Sequence, residues 1–463
     1  MDEIKKEDVD KYAEQFAGDL RRKFVEFVKS NGDGAVKMEN NDNPPDGATE
    51  EKDPVFELNI PPEENIISRW CRYAGQVMDS YPEYHLASAL VLFSHIFDAY
   101  MEPRSGKINN NLWGILLGRS SVSGKTTACN ALLNIARDPK FLNKLHTLPP
   151  KVTPEAFLAA FSTDVSDTKK TVGHQRKLHY LSEASGFLKY IKKDNYSELN
   201  ELIIDAYDGS RLEKETVSTG LICQYDPRYS GLWTTVQDVF GEQVEPERFR
   251  SGAFIRAFYI LPDRQKEIKE DLPRDSETEK EKEMVINEIW ALLKTVNDKP
   301  IRFEENKKLS KWKKDMREAI ADNTIYSNIE QSAWYRIFDI TRKVAMNLTL
   351  ASREFRESIV KDTINPVISA EIPDIYADIA INWAQTVFYP NAMKAHRLTW
   401  GAGNCAKVMI ALQGGKELKR TEIADMVHLC GKRLDEFLQE LPLAYTDRPC
   451  PPSKRMARFY RLA

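Results

Sequence analysis

The residues of this chain best suited to chemistry lie in one short segment rich in glycine, serine and threonine. The segment begins at Gly118 and ends in Gly124, Lys125 and Thr126. A glycine lets the backbone close around a phosphate group, the first amide groups of a helix bind anions, and a lysine neutralises phosphate charge. A threonine hydroxyl after that lysine is a ligand for Mg²⁺. The segment predicts a phosphate-binding loop, with a structural turn as the alternative.

The flanking sequence supports a nucleotide site. Residues 111–117 form an apolar run that predicts a buried strand, and apolar positions over 128–135 predict a helix. Strand, loop and helix follow one another in the order of the P-loop, so we expect ATP and Mg²⁺ as cofactors. The predicted nucleotide-binding residues of the loop are Gly118, Ser123, Gly124, Lys125, Thr126 and Thr127.

The loop departs from the pattern G-x-x-x-x-G-K-[ST] at its beginning. Five residues separate Gly118 from Gly124, and Arg119 stands where the first glycine is expected. This departure bears on the rate of hydrolysis more than on nucleotide binding, because Gly124, Lys125 and Thr126 are all present.

A second site must supply a carboxylate that polarises the attacking water. The apolar run that ends at Leu181 is followed by Ser182 and Glu183, and we predict Glu183 as this catalytic carboxylate. Ser182 stands where an aspartate is usual and is a second candidate ligand for Mg²⁺ beside Thr126. The alternative is a surface strand that ends in an ordinary exposed glutamate.

Two later strands carry polar groups. Residues 228–233 predict a strand that leads to Thr235 and Gln237, which are suited to sensing the terminal phosphate. Arg256 lies in the apolar segment 250–260, which also predicts a strand. This arginine either pairs with a carboxylate of its own subunit or acts as a catalytic arginine finger on a neighbour's nucleotide, and the second role requires a ring.

Two basic segments are candidates for binding single-stranded DNA, because cationic and aromatic side chains together hold such strands. One is a lysine run around Tyr190, and the other is a predicted hairpin with a turn at 218–220. The alternative is a solvated surface. The candidate residues are Lys189, Lys192, Lys193, Arg211 and Lys214.

The C-terminal residues resemble a winged helix. Three short helices are predicted at 404–412, 421–428 and 431–441, followed by a basic hairpin. Its predicted DNA-binding residues are Lys432 and Arg433 on the third helix and Lys454, Arg455 and Arg458 on the wing. A wing that binds protein instead is the alternative.

In order and spacing, these elements resemble the RecA-like, helicase-type ATPases encoded beside primases in phages, plasmids and integrated elements. The resemblance runs from about residue 66 to residue 397 and includes the segments 207–209, 251–256 and 336–351. It implies an α/β fold with a RecA-like P-loop core, a homo-oligomer such as a hexameric ring, and a primase as a possible partner in DNA replication.

The chain divides by pattern into five parts. They are an N-terminal helix and flexible linker (1–53), a helical lead-in (54–110), the ATPase core (111–262), an α-helical lid (263–397) and the winged helix (398–463).

Composition excludes several classes. Among 463 residues, 42% are hydrophobic and 29% charged, which is typical of globular proteins and not of disordered ones. Six cysteines without a C-x-x-C pair argue against a disulfide framework or a zinc ribbon. The longest apolar stretch, 86–97, is too short to span a membrane, and the first residues are acidic, so we expect a cytoplasmic protein. A net charge of −4 leaves DNA binding to local basic surfaces.

The leading hypothesis is an ATP-dependent DNA helicase or translocase of a mobile genetic element, which acts on single-stranded or forked DNA. The alternative is a nucleotide-dependent switch ATPase, for example in defence, that binds DNA or protein without unwinding. A third possibility is a sequence-specific DNA binder with a degenerate ATPase domain.

Overall fold

A computed structural model gives the fold. It describes residues 56–104, 106–119, 123–138, 141, 144–161, 175–193, 197–216, 220–250, 252–262, 276–322, 328–359, 365–400, 408, 411–412, 416–427, 434–435, 437–438, 441, 443–450 and 455–462. The described residues divide into two compact units, Pro54–Ala395 and one that contains His396–Ala463. The further division of residues 54–395 into lead-in, core and lid stays a prediction.

The main sheet of the first unit has four parallel strands in the order β4–β7–β3–β8. Their bounds are β3 (Trp113–Gly118), β4 (Arg176–Leu181), β7 (Arg228–Val236) and β8 (Phe258–Ile260). Every residue of β3 is buried, as expected for a parallel strand covered on both faces. The predicted α/β class and the strands predicted at 111–117, 177–181 and 228–233 are confirmed.

A second sheet was not predicted. It has the order β10–β9–β1–β2, with bounds β1 (Ala99–Met101), β2 (Ile108–Asn109), β9 (Ile301–Glu304) and β10 (Ile368–Glu371). The segments predicted as a helical lead-in and an α-helical lid therefore also contain short strands, which the prediction lacked. These strands are two to four residues long and pair mostly with partners far along the chain, so no local pattern marks them.

The described residues include fifteen α-helices. They are α1 (Ile66–Val77), α2 (Pro82–Ile96), α3 (Lys125–Ala136), α4 (Pro154–Ala160), α5 (Ser185–Ile191), α6 (Ser197–Asp208), α7 (Gln237–Gln243), α8 (Pro246–Arg250), α9 (Ser276–Val296), α10 (Lys307–Asp322), α11 (Asn328–Leu350), α12 (Arg353–Ile359), α13 (Asp374–Trp383), α14 (Tyr389–Thr399) and α15 (Arg420–Val427). A 3₁₀ turn spans Phe254–Arg256, and a π-helical turn spans Ala384–Phe388. No described helix is long and apolar enough to cross a membrane.

Two helices form the centre of the first unit. Fourteen of the fifteen residues of α2 are buried, and so are all ten residues from Thr341 to Leu350 of α11. Burial on all sides is typical of helix segments packed inside a core. α2 contacts all four strands of the main sheet.

The second unit contains a three-stranded antiparallel sheet in the order β11–β13–β12. Its strands are β11 (Leu418–Lys419), β12 (Leu443–Cys450) and β13 (Arg455–Leu462), and its apolar core includes Trp400, Ile423 and Phe437. The predicted hairpin and the helix predicted at 421–428 are confirmed, the latter as α15. The helices predicted at 404–412 and 431–441 lie largely outside the described residues.

Candidate functional site

The glycine-rich segment connects β3 to α3, so the predicted order of strand, loop and helix is confirmed. Gly124 precedes the helix with a φ of +70°, a region that favours glycine. A Cβ atom there would lie 2.5 Å from the carbonyl oxygen of Asp79 and from Cβ of Ser80. Both conditions require glycine at this position. Residues 120–122 lie outside the described residues.

Lys125 folds back onto the loop. Its Nζ donates to the carbonyl oxygens of Gly118 (3.2 Å) and Arg119 (3.0 Å) and to Oγ of Ser123 (2.9 Å), and 6% of the residue is exposed. Burial lowers the pKa of Lys125, while the charge of Glu183 acts in the opposite direction. The lysine is thus a buried cation held by loop oxygens that a phosphate group can replace.

The carboxyl ends of the parallel strands bring the predicted residues together. Oγ1 of Thr126 donates to the carbonyl oxygen of Ser182 at 3.1 Å, and Oγ1 of Thr234 donates to the same oxygen. The first residues of α3 therefore touch the end of β4, although the strand β7 lies between β4 and β3. Thr126 and Ser182, the two candidate Mg²⁺ ligands, are neighbours.

Glu183 lies at the same edge. Its Oε1 accepts a hydrogen bond from Oγ1 of Thr235 (2.9 Å) and another from the backbone N–H of Ser185 (3.0 Å). Thr235 is fully buried and stands opposite Leu117 in the register of β7 and β3. Thr235 thus connects the carboxylate to the strand beside the loop, and Glu183 itself is exposed to solvent.

Two other residues that were predicted to bind the nucleotide, Thr127 and Gln237, have no side-chain hydrogen bond to the loop or to Glu183 among the described residues. Thr127 is exposed on α3, and Gln237 is half-buried as the first residue of α7. Neither side chain forms a hydrogen bond with another described residue. Their predicted contacts with the nucleotide stay predictions.

Sequence reasoning missed Tyr84. Its hydroxyl donates to the carbonyl oxygen of Leu117 at 2.8 Å, immediately before the loop. A Cβ atom on Gly118 would lie 2.5 Å from this hydroxyl, so the tyrosine explains why the loop begins with glycine. Tyr84 lies within the apolar helix α2, and no local signal distinguishes it from a core residue.

Arg256 differs from its prediction in its secondary structure. It ends a 3₁₀ turn and does not lie within a strand, because β8 begins only at Phe258. Its Nε donates to both carboxylate oxygens of Asp208 (3.0 and 3.1 Å), and its Nη1 donates to the carbonyl oxygen of Gly252. Gly252 has a φ of +111°, and a Cβ atom there would lie 2.5 Å from Nη1. The structure thus shows the first alternative, a pair within the subunit.

Arg256 also lies at the opposite edge of the sheet from the loop. Phe258 is paired with Gly114 near the amino end of β3, whereas the loop follows the carboxyl end of that strand. Arg256 therefore cannot contact a nucleotide bound by its own loop, and its guanidinium is engaged by Asp208.

The candidate DNA-binding residues of the first unit differ in their surroundings. Lys189 in the last turn of α5 and Lys193 two residues beyond its end are exposed, while Lys192 pairs with Glu245 at 3.3 Å. The predicted hairpin is confirmed as β5 (Leu212–Thr216) and β6 (Gly220–Gln224). At its base Arg211 lies 3.1 Å from Glu213 and stacks over the exposed ring of Tyr225. The side chain of Lys214 lies outside the described residues.

Most basic candidates of the second unit lie outside the described residues, namely Lys432, Arg433, Lys454 and the side chain of Arg455. The backbone of Arg455 pairs with Cys450 at the start of β13. Arg458 is exposed on the same strand, with its guanidinium 4.2 Å from the ring centre of Tyr445. This exposed pair presents both charge and an aromatic face.

Compared with known proteins, the chain matches no family model and no curated protein sequence. The resemblance to RecA-like ATPases stays a prediction from the residues themselves. The described residues contain no group of three or more histidine, cysteine, aspartate or glutamate side chains that could hold a metal ion. Any Mg²⁺ at this edge would depend on Thr126, Ser182 and the ligands that the nucleotide brings.

Proposed function

We propose that this chain binds ATP with Mg²⁺ at the carboxyl edge of the main sheet and hydrolyses it. The observation that carries the proposal is the hydrogen bond between Thr235 and Glu183 beside the loop of Lys125. A buried lysine, a helix N-terminus and an oriented carboxylate are the groups that phosphoryl transfer to water requires. Three separate segments of the chain supply them at one edge.

Each residue has a distinct role in this proposal. Lys125 exchanges the carbonyl oxygens of Gly118 and Arg119 for phosphate oxygens and neutralises their charge. Thr126 holds the metal through its hydroxyl. Glu183 accepts a proton from the attacking water, and Thr235 fixes the direction of its carboxylate.

We further propose that hydrolysis drives movement along single-stranded or forked DNA. Glu183 accepts from the N–H of Ser185, the first residue of α5, and the exposed Lys189 and Lys193 follow within the next nine residues. A change in the hydrogen bonds of Glu183 would therefore act directly on the helix that carries Lys189 and leads to Lys193. A ring of several subunits remains part of the proposal, but Arg256 is no longer its arginine finger.

The second unit supports a role in DNA binding. A small helical core beside an antiparallel sheet of order β11–β13–β12 is compatible with a winged helix, and its hairpin exposes Arg458 and Tyr445. A wing of this kind contacts the DNA backbone through its basic residues. We propose that it positions DNA for the motor.

One observation favours the switch as a second candidate. Ser182 offers Thr126 only a backbone carbonyl where an aspartate would offer a carboxylate. A metal held without that carboxylate would support slower hydrolysis, and a slow ATPase suits a switch that binds DNA or protein without unwinding.

Steady-state ATPase activity with and without single-stranded DNA tests the proposal. We expect DNA to stimulate hydrolysis, Lys125→Ala to abolish it, and Glu183→Gln to retain ATP binding with little turnover. The matched controls are Lys151→Ala and Glu371→Gln, which change exposed residues of the same types away from the site. Unchanged turnover in Lys125→Ala and Glu183→Gln would overturn the assignment of this edge.

A forked-duplex assay separates the two candidates. The motor displaces a strand in an ATP-dependent manner, whereas the switch binds ATP and displaces none at any ATP concentration.

A further inference from the structure

A polar cavity lies at the amino edge of the main sheet, opposite the phosphate loop. It has a volume of about 130 Å³, comparable to roughly four water molecules in the liquid. Its walls come from the β2 region, the end of α6, the Phe254–Arg256 turn and α11. Nothing in the proposed ATPase uses this cavity.

Positive charge exceeds negative charge in its lining. Four basic residues, Lys107, Arg256, Arg336 and Lys343, face two acidic ones, Asp208 and Asp339. The carboxylates are already engaged, because Arg256 binds both oxygens of Asp208 and Arg342 lies 3.5 Å from Asp339. Lys107 is likewise paired, with Asp226 at 2.7 Å. Arg336 lies 3.7 Å from Asp208, whose carboxylate Arg256 already binds. The charges that are least neutralised are therefore those of Lys343 and Arg336.

Lys343 is the unusual member of this group. It is 5% exposed, and its Nζ contacts Oδ1 of Asn111 (3.3 Å) and the ring of Tyr207 (3.7 Å to the centroid). It forms no salt bridge with any described residue. Burial lowers the pKa of Lys343 to about 7, against the charges of Asp208 and Asp339 and together with those of Arg256 and Arg336. A buried ammonium group without a counter-ion is costly, and a bound anion removes that cost.

Tyr207 provides an independent indication. It is 4% exposed and lines the cavity, and its hydroxyl has no hydrogen-bond partner among the described residues. A buried polar atom of this kind normally has a partner in the protein, a water molecule or a ligand. An oxygen acceptor in the cavity would satisfy this hydroxyl.

Arg336 lies where a ligand would enter. Its side chain is 35% exposed, and the nearest carboxylate oxygen, in Asp208, is 3.7 Å away. A guanidinium group in this position can offer two parallel N–H groups to one oxyanion. The buried cation, the buried hydroxyl and the partly exposed guanidinium thus line one small space.

We infer that this cavity binds a phosphoryl oxyanion, held by Lys343, Tyr207 and Arg336. Phosphate fits better than an apolar or cationic ligand because the open groups are donors, two of them cationic. Its source is either free inorganic phosphate or the terminal phosphate of a nucleic acid. The inference is independent of the proposed ATPase, because the two sites lie at opposite edges of the sheet.

Calorimetric titration of the full chain with inorganic phosphate tests the site. The Lys125→Ala variant is the background, because it removes the binding of phosphate to the loop. We expect this variant to bind phosphate, and we expect the added change Lys343→Met to weaken binding about tenfold or more. Lys151→Met, at an exposed lysine, is the matched control and should leave binding unchanged.

Tyr207→Phe keeps the experiment decisive if Lys343→Met fails to fold, since it removes only the unpartnered hydroxyl. It should also weaken phosphate binding, as should Arg336→Gln. Absence of phosphate binding to the Lys125→Ala variant would overturn the inference. Affinities in Lys343→Met and Tyr207→Phe that equal that of the Lys125→Ala background would overturn it as well.

A 5′-phosphorylated oligonucleotide and its 5′-hydroxyl counterpart distinguish the two sources. A preference for the phosphorylated form that is lost in Lys343→Met shows that a terminal phosphate enters the cavity. Equal binding of both forms, beside retained binding of inorganic phosphate, shows that the site takes the free anion.

Discussion

Thr235 and Glu183 are joined by a hydrogen bond of 2.9 Å, although 52 residues separate them in the chain. The hydroxyl of Thr235 is buried on β7, while the carboxylate of Glu183 is exposed beyond the end of β4. β7 also pairs with β3, the strand that leads into the loop of Lys125. Thr235 therefore stands between Glu183, the proposed base, and this loop. A displacement of β7 would thus change the position of Thr235 relative to both Glu183 and the loop.

Replacement of Thr235 tests that contact. Thr235→Val removes the hydroxyl while keeping the shape, so Glu183 loses one of its two orienting donors. We expect kcat for ATP hydrolysis to fall about tenfold to a hundredfold, with a smaller change in KM, because a hydrogen bond to a charged group contributes roughly 1.5–3 kcal/mol. Steady-state kinetics measures the changes in kcat and in KM separately. Thr235→Ser keeps the hydroxyl and should retain most of the activity, and equal losses in both variants would contradict the role.

The packing of Tyr84 against Gly118 predicts that substitutions at these two positions partly compensate each other in stability. Gly118→Ala places a Cβ atom against the Tyr84 hydroxyl, so we expect it to destabilise the protein by about 1–3 kcal/mol. Tyr84→Phe alone loses the hydrogen bond to Leu117, at a cost of about 1 kcal/mol. The double variant should lose less stability than the two single losses added together. Chemical denaturation of all four proteins measures the coupling, and strict additivity would show that the hydroxyl does not determine the glycine.

The pair of Asp208 and Arg256 predicts a dependence on pH. Burial raises the pKa of Asp208, but the hydrogen bond and charge of Arg256 outweigh it, and the pKa lies below its ordinary value of 3.8. Its contribution to stability is therefore present above pH 3.8 and lost as the pH falls through the lower, folded-state pKa. Asp208→Asn should cost about 3 kcal/mol at pH 7, because Arg256 stays buried without a counter-ion, and less in strong acid.

Denaturation at pH 7 and at about pH 2 checks this expectation, with Asp315→Asn at an exposed site as the control. An equal loss at both values would show that Asp208 acts through packing alone.

Lys343 predicts a rise of stability with pH in a different, higher window. Its folded-state pKa of about 7 lies below the ordinary 10.5, so unfolding takes up a proton between these values and stability rises with pH across that window. Lys343→Met removes the cost of the buried charge. We expect it to raise the free energy of unfolding on the order of 2 kcal/mol near pH 7, with a smaller increase near pH 10. A destabilised variant at pH 7 would show that the ammonium group supports the fold.

The exposed lysines after Glu183 predict the response to DNA. Lys189→Ala with Lys193→Ala should reduce the stimulation of ATPase activity by single-stranded DNA and leave the activity without DNA unchanged. The salt dependence of DNA binding should weaken by about one unit of slope for each DNA phosphate that the variant no longer neutralises. Lys192→Ala should have a smaller effect, since Lys192 is paired with Glu245. Unaltered stimulation in the double variant would exclude α5 as a DNA-binding element.

Local sequence was sufficient for the loop and its flanks. The apolar run before Gly118, the Gly-Lys-Thr sequence and the apolar positions after it describe strand, loop and helix within some twenty-five residues. The hairpin of β5 and β6 and that of β12 and β13 were predictable for the same reason, because each pairs with its neighbour along the chain. In these places the interactions that determine the structure lie close together in the sequence.

Contacts over long separations were decided by the tertiary structure. Asp208 neutralises Arg256 across 48 residues, and β1 pairs with β9 about two hundred residues away. In the sequence, Tyr84 and Lys343 cannot be distinguished from other residues of their helices. Packing brings the hydroxyl of Tyr84 to the carbonyl oxygen of Leu117 before the loop, and it places Lys343 in the lining of the cavity. A single sequence specifies which groups must find partners when they are buried, but the partner is chosen only when strands and helices pack and exclude water.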